Sequence, residues 1–331
     1  MSAVQPLPRE PRMRVEYVHG GADALAAQLA REDTLAVFGF GDGAPMHEDP
    51  RYLRVPLQPH GDAPLEVWRT QGPVLAGVQG ALHFAEGDGL QFGWIEIPEG
   101  DAGLEAASAR AYANLSVFVR TRGYPCLLRS WNYLDAITDG DADDERYRRF
   151  CVGRAAGLGE VVVGTLPAAT AIGRCDGVRT LQVYWLAARV PGTPVENPRQ
   201  VSAYRYPRQY GPQPPSFARA MVPPSDAMPL LLSGTAAVVG HESKHHDCVE
   251  SQLAETFANF DSLIAAARAV RPGLPPHFGP GSHLKVYVRD ADAMPRIAQA
   301  LDAHLDPSVP RVLLHATICR RELRVEIDGV L

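Results

Sequence analysis

The sequence predicts an α+β fold of two similar units joined by a proline-rich segment, with boundaries at 1–190, 191–229 and 230–331. Three observations carry this. The second half orders its apolar periodicities as strand, long helix, strand, helix and two closing strands. The first half repeats that order less cleanly, as a repeat of pattern and not of sequence. Between them, residues 191–229 hold ten prolines. Such an order expects each unit to be a mixed sheet with its helices packed on one face. A chain of 331 residues suits two units at roughly 150 residues each.

In the first half, strand-like runs occur at 34–40, 74–78 and 92–97. Leu104, Ala107, Ala111, Leu115 and Phe118 then share one helical face, which Gly123 and Pro125 end. Residues 126–134 form the next strand and 144–156 a helix. Strands return at 170–173 and 181–187. In the second half, 231–243 reads as a buried strand that breaks at small residues. A helix follows with Val249, Leu253, Phe257, Phe260, Ile264 and Ala267 at steps of three and four. Asp247 is its expected N-cap, and Arg271-Pro272-Gly273 stops it. Residues 283–290 alternate as a strand. Asp292 opens a helix through Met294, Ile297, Leu301 and Leu305, and strands at 312–318 and 323–327 close the pattern.

Composition narrows the function. Apolar residues make up 46% and the net charge is -6, with no basic block, so neither disorder nor a phosphate-held nucleic acid is expected. No run is long and apolar enough for a membrane span, and residues 1–14 lack an apolar leader core. A soluble cytoplasmic protein is expected. The five cysteines are odd in number, widely spaced and without a CxxC pair, which disfavours a disulfide framework or a cysteine zinc site.

Several motifs carry little chemistry. Gly39-Phe40-Gly41-Asp42-Gly43 follows a strand, but no helix opens after it to hold a pyrophosphate. His241, Glu242, His245, His246 and Asp247 crowd together before a helix, where polar residues serve as caps. Without an HExxH pattern no metal is expected. No GxSxG occurs. The segment 191–229 is more informative, because Tyr204, Arg205, Tyr206, Arg208, Tyr210, Phe217 and Arg219 are unusual in a solvated linker. It reads either as an ordered wall of a site or as a connector docked by its aromatics. Near the end, alternation puts Leu323, Val325 and Ile327 on one face and Arg324, Glu326 and Asp328 on the other. If that second face is solvated, Glu326 is a strand-edge acid. If it lines a cleft, Glu326 is a proton donor whose pKa burial raises.

Two resemblances bear on that choice. The runs SGTAAVVG, ANFDSLIAAA, LKVYVRD and VEIDGV resemble the RidA/YjgF family in order and spacing over about 100 C-terminal residues. That resemblance implies a chorismate-mutase-like fold for both units. It places Arg311 at the family's substrate-carboxylate arginine and Glu326 at its terminal acid. Nearly the whole chain resembles the chorismatases, through RSWNYL (129–134), RRFCVGRAAG (148–157), ENPRQVSAYRYPRQYGPQPPSFARA (196–220) and LLSGTAAVVGHES (231–243).

Chorismatases release pyruvate from chorismate without a metal or organic cofactor. The subgroup forming 3-hydroxybenzoate carries a cysteine seven residues before the catalytic glutamate, which Cys319 and Glu326 match. The resemblance therefore implies Glu326 as the acid and Cys319 as the residue that assists aromatisation, with 4-hydroxybenzoate as a further product of some members. Two substrate carboxylates call for Arg311, Arg154 and Arg219, with Tyr204 and Tyr210 as hydrogen-bonding partners. The other readings are hydrolysis to a cyclohexadiene diol, or a non-catalytic RidA-like binding protein. Either a monomer or a RidA-like homo-oligomer is compatible.

Overall fold

A computed structural model describes residues 10–160 and 162–331; most of the N-terminal stretch read for a leader lies outside them. Five α-helices occur among the described residues: α1 (Ala22–Leu29), α2 (Gly103–Thr121), α3 (Arg146–Leu158), α4 (Val249–Val270) and α5 (Met294–His304). Both halves use one topology. In the first, the strands Leu90–Pro98, Cys126–Asp135, Ala168–Arg174 and Thr180–Ala188 lie in the spatial order 3-2-4-1. In the second, Leu231–Ala236, His283–Val288, Arg311–His315 and Val325–Val330 lie in the same order. The second and third strands of each set in chain order run parallel, and a helix (α3 or α5) makes the crossover that parallel pairing requires. The fold is thus α+β, with mixed sheets.

Helices cover one face of each sheet, because alternate residues of the strands are apolar on that side. In the first half Val183, Trp185 and Ala187 pack against Leu104, Ala111, Leu115 and Phe118. In the second, Val325 and Ile327 pack against Leu253, Phe260, Ile264 and Ile297. The opposite faces of the two sheets share a central core that includes Trp131, Tyr133, Tyr184, Leu186 and Tyr287. Trp131 stacks on Tyr184 there at 4.6 Å.

Several expectations need correction. The strand at 34–40 belongs to a separate four-stranded sheet with Arg14–Val18, Tyr52–Val55 and Leu65–Arg69. Those partners are too short to show sustained alternation, and α1 buries only Leu25 and Leu29. Asp247 is not the N-cap of α4; Cys248 holds that position, without a side-chain capping bond. The strand expected at 312–318 breaks at Ala316, and Thr317–Ile318 crosses to pair with Gly173 and Ile172 of the seven-stranded sheet. Gly173 permits this approach, since a methyl there would overlap the Thr317 hydroxyl. Leu323 precedes the last strand and packs in the central core, not with Val325 and Ile327.

Candidate active site

Glu326 and Asp328 project from the strand Val325–Val330 on the face away from α4 and α5, between the two large sheets. Glu326 reaches the wall of a cavity of about 460 Å³, within the usual range for small-molecule sites. Its register partner across the strand pair is Ala236, and the ladder is interrupted just before it, at Ser233-Gly234. A methyl on Gly234 would overlap Oε1 of Glu326, so glycine is what admits the carboxyl group.

Burial is the main influence on Glu326. The residue is 5% exposed, and desolvation, reinforced by the Asp328 carboxylate, pushes its carboxyl up to about 8. Arg129, Arg219 and Arg320 pull the other way and are outweighed. Asp328 is anchored differently. Its Oδ2 accepts hydrogen bonds from Trp131 Nε1 (3.0 Å), the Thr170 hydroxyl (2.7 Å) and the Tyr287 hydroxyl (2.9 Å), and lies 3.2 Å from the Arg129 guanidinium. The Thr170 oxygen in turn accepts from Arg129 (2.6 Å) and from the Gly234 N–H (3.0 Å). This network fixes both strands behind the glutamate.

The cavity is cationic. Arg154 comes from α3, whose entry into the site depends on Gly153 and Gly157. A methyl at either would run into a carbonyl oxygen of α2, so the two helices touch backbone to backbone. Arg154 is 4% exposed, donates to the Ser216 carbonyl (2.5 Å), and leaves Nε and Nη2 without protein partners. Arg219 lies between the Tyr206 and Phe217 rings, donates to the Tyr206 hydroxyl (2.5 Å), and leaves Nε free. Arg320 lies 4.3 Å over the Tyr210 ring and donates to the His241 carbonyl. Among the described residues none of the three forms an ion pair with a carboxylate. Buried guanidinium donors without partners are costly unless an anion completes them.

Cys319 also lines the cavity, beside Tyr147 and Cys151. Burial, and then the Glu326 carboxyl, drive its thiol far above the ordinary value; the pull of Arg320 is smaller. Cys319 is therefore a neutral thiol and not a ready thiolate. Arg321 also borders the cavity, with its guanidinium donating to the Thr138 carbonyl.

The structure thus brings Glu326, Cys319, Arg154, Arg219 and Tyr210 to one cavity, with the segment 206–219 forming part of its wall. It does not bring Arg311 or Tyr204. Arg311 begins an edge strand two strands from Glu326 and, by register, three residues along, roughly 14 Å away by sheet geometry. Its guanidinium pairs with Asp302. Tyr204 lies in the turn Ala203–Arg205, its ring against Arg205 and outside the cavity lining. Sequence reasoning named Tyr206 only as one aromatic of the segment 191–229 and gave no binding role to Arg320, Thr170 or Gly234. Tyr206 and Gly234 lay inside the distinctive runs and Arg320 and Thr170 outside them, and nothing in their spacing marked any of the four. Among the described residues, no group of three His, Cys, Asp or Glu side chains converges as metal ligands would. His241 instead meets the Tyr210 hydroxyl, and His245 meets Glu255. No helix among these residues is long and apolar enough to cross a membrane.

The chain is similar to several known proteins over most of its length. Residues 66–187 match the family model described as "Chorismatase FkbO/Hyg5-like, N-terminal". A chorismatase from Streptomyces rapamycinicus is 38% identical over 80% of this chain and 81% of its own. A 3-hydroxybenzoate synthase from Streptomyces hygroscopicus is 33% identical over 80% of each. A chorismatase crystal structure superposes with a TM-score of 0.82 at 33% identity, covering 97% of this chain and 98% of that one.

Proposed function

The chain belongs to the chorismatase family, and from that premise we propose that it converts chorismate to 3-hydroxybenzoate and pyruvate, with 4-hydroxybenzoate as a companion product. The observation that carries this reading is a carboxyl group held protonated by burial at the wall of a cavity whose buried arginines lack anionic partners. Chorismate supplies what that cavity lacks. It has two carboxylates for the free guanidinium donors and an enol ether that cleaves on protonation of its methylene carbon.

Arg154, Arg219 and Arg320 bind the carboxylates, and Tyr206 and Tyr210 orient the two cations that they contact. Arg311 and Tyr204 have no part in binding within this chain's cavity. Glu326 gives its proton to the methylene carbon. The ether bond at ring carbon 3 breaks and pyruvate leaves. The oxygen of the carbon-4 hydroxyl bonds to carbon 3, and its proton returns to the Glu326 carboxylate, which restores the acid. The arene-oxide-like intermediate is an isomer of hydroxybenzoate. Breaking its bond at carbon 4 leaves oxygen on carbon 3 and gives 3-hydroxybenzoate; breaking the bond at carbon 3 gives the 4-isomer. Cys319, a neutral thiol, protonates the opening oxygen and recovers a proton when the ring loses hydrogen to aromatise. No water, oxidant or reductant is consumed.

Incubation with chorismate, without added cofactor, followed by chromatography against hydroxybenzoate standards tests this. The expected result is 3-hydroxybenzoate with matching pyruvate, lost in Glu326→Gln. A non-aromatic diol as the sole product, or full turnover by the Gln variant, overturns it.

A further inference from the structure

The residues from 318 to 324 form a turn that carries Cys319 and Arg320 into the cavity and then feeds the strand bearing Glu326. Two side chains that do not line the cavity hold this turn from behind. Arg289 follows the strand His283–Val288. Its Nε donates to the Leu323 carbonyl at 2.8 Å, and its Nη2 donates to the carbonyls of Ile318 (2.9 Å) and Arg320 (2.8 Å). Its own N–H donates to the Arg324 carbonyl at 2.9 Å. Gln252, fully buried on α4, donates to the Glu322 carbonyl (2.8 Å) and accepts from the Arg324 N–H (2.7 Å).

These contacts account for the polar backbone of a turn that regular structure leaves unpaired. Arg289 makes no ion pair among the described residues, so its guanidinium is committed to carbonyl oxygens. A planar fork fixes three carbonyls relative to one another; a lysine ammonium in its place is a point charge on a flexible stem. We infer that Arg289 and Gln252 are positioning residues that set where Cys319 and Arg320 stand in the cavity and, through Cys319, which bond of the intermediate opens. The product part of this inference rests on the reading of Cys319 given above.

The test uses the full chain with Cys126, Cys175 and Cys248 replaced by serine, so that alkylation by iodoacetamide, located by mass spectrometry, reports on Cys319. The variants are Arg289→Lys, Arg289→Ala and Gln252→Leu. Losing one buried hydrogen bond opens a local structure by up to about tenfold, so Cys319 labelling should accelerate by that order in each folded variant. The ratio of 3- to 4-hydroxybenzoate, or the share of non-aromatic product, should shift with it. Millimolar guanidinium should restore both in Arg289→Ala, a rescue that a general loss of stability does not show. Folded Arg289→Lys and Gln252→Leu proteins with parental labelling and parental products overturn the inference. If Arg289→Ala does not fold, Gln252→Leu decides, since it removes two contacts without emptying a charged site. If Cys319→Ala makes the parental product mixture, the reading of Cys319 falls. The labelling rate alone then judges the positioning role, faster labelling supporting it and parental labelling overturning it.

Discussion

In the proposed reaction Glu326 is the acid, and burial is what keeps it protonated. Its carboxyl sits at about 8, so the acid form predominates below that pH and is lost above it. The rate of the protonation step should be flat at low pH and fall as pH passes about 8. Asp328→Asn removes a repelling carboxylate and leaves Arg129 unneutralised; both changes favour ionised Glu326. The falling limb of the pH–rate profile should therefore move to lower pH, as kcat measured across pH would show. The same shift has a stability consequence. The folded pKa lies above the ordinary 4.5, so the contribution of Glu326 to stability is full below pH 4.5 and is lost as pH rises through about 8. Melting temperatures of the parent and of Glu326→Gln should diverge across that window, with the Gln variant the flatter of the two. Gly234→Ala should cost most of the activity, because the added methyl occupies the space of Oε1. Activity retained there with an unmoved pH profile would contradict the packing described.

At the scale of elements, α2 and α3 are the joint that delivers Arg154 and Cys151 to the cavity. Gly153→Ala or Gly157→Ala sets a methyl against helix backbone that cannot step aside, so each should cost about 1–3 kcal/mol and weaken chorismate binding, read as a lower Tm and a raised KM. Much of this architecture was legible in sequence. Apolar spacing found α2 and α4, and alternation put Glu326 opposite Val325 and Ile327. What was illegible has physical reasons. Homology placed Arg311 on a strand, but a position on a strand does not tell which end of the sheet borders a cavity. Choosing Tyr204 over Tyr206 was arbitrary in sequence, because a three-residue turn at 203–205 swings successive side chains by about 120° and only its geometry selects one. The crossing of Thr317–Ile318 rests on two residues, too few for any period to show.

Across the whole molecule, three sheets meet on charged groups out of water. Lys285 of the six-stranded sheet lies 3.0 Å from Glu66 of the four-stranded sheet and 3.8 Å from Asp328, which pairs with Arg129 of the seven-stranded sheet. Lys285→Met leaves two buried carboxylates short of a cation and should destabilise the protein by about 3–5 kcal/mol. Adding Glu66→Gln should recover part of that loss, as denaturant midpoints would reveal. The strand Thr317–Ile318 ties the halves more directly, since it covers Ile172 and Gly173 on the strand Ala168–Arg174, otherwise the end of the seven-stranded sheet. During synthesis, that covering strand leaves the ribosome well over a hundred residues after the strand it protects. At ordinary elongation speed the bare edge stays open for roughly 7–30 seconds, long enough for neighbouring nascent chains to pair with it. The yield of active enzyme in the cell should therefore depend on how closely ribosomes are spaced on its message, and on which chaperones attend them.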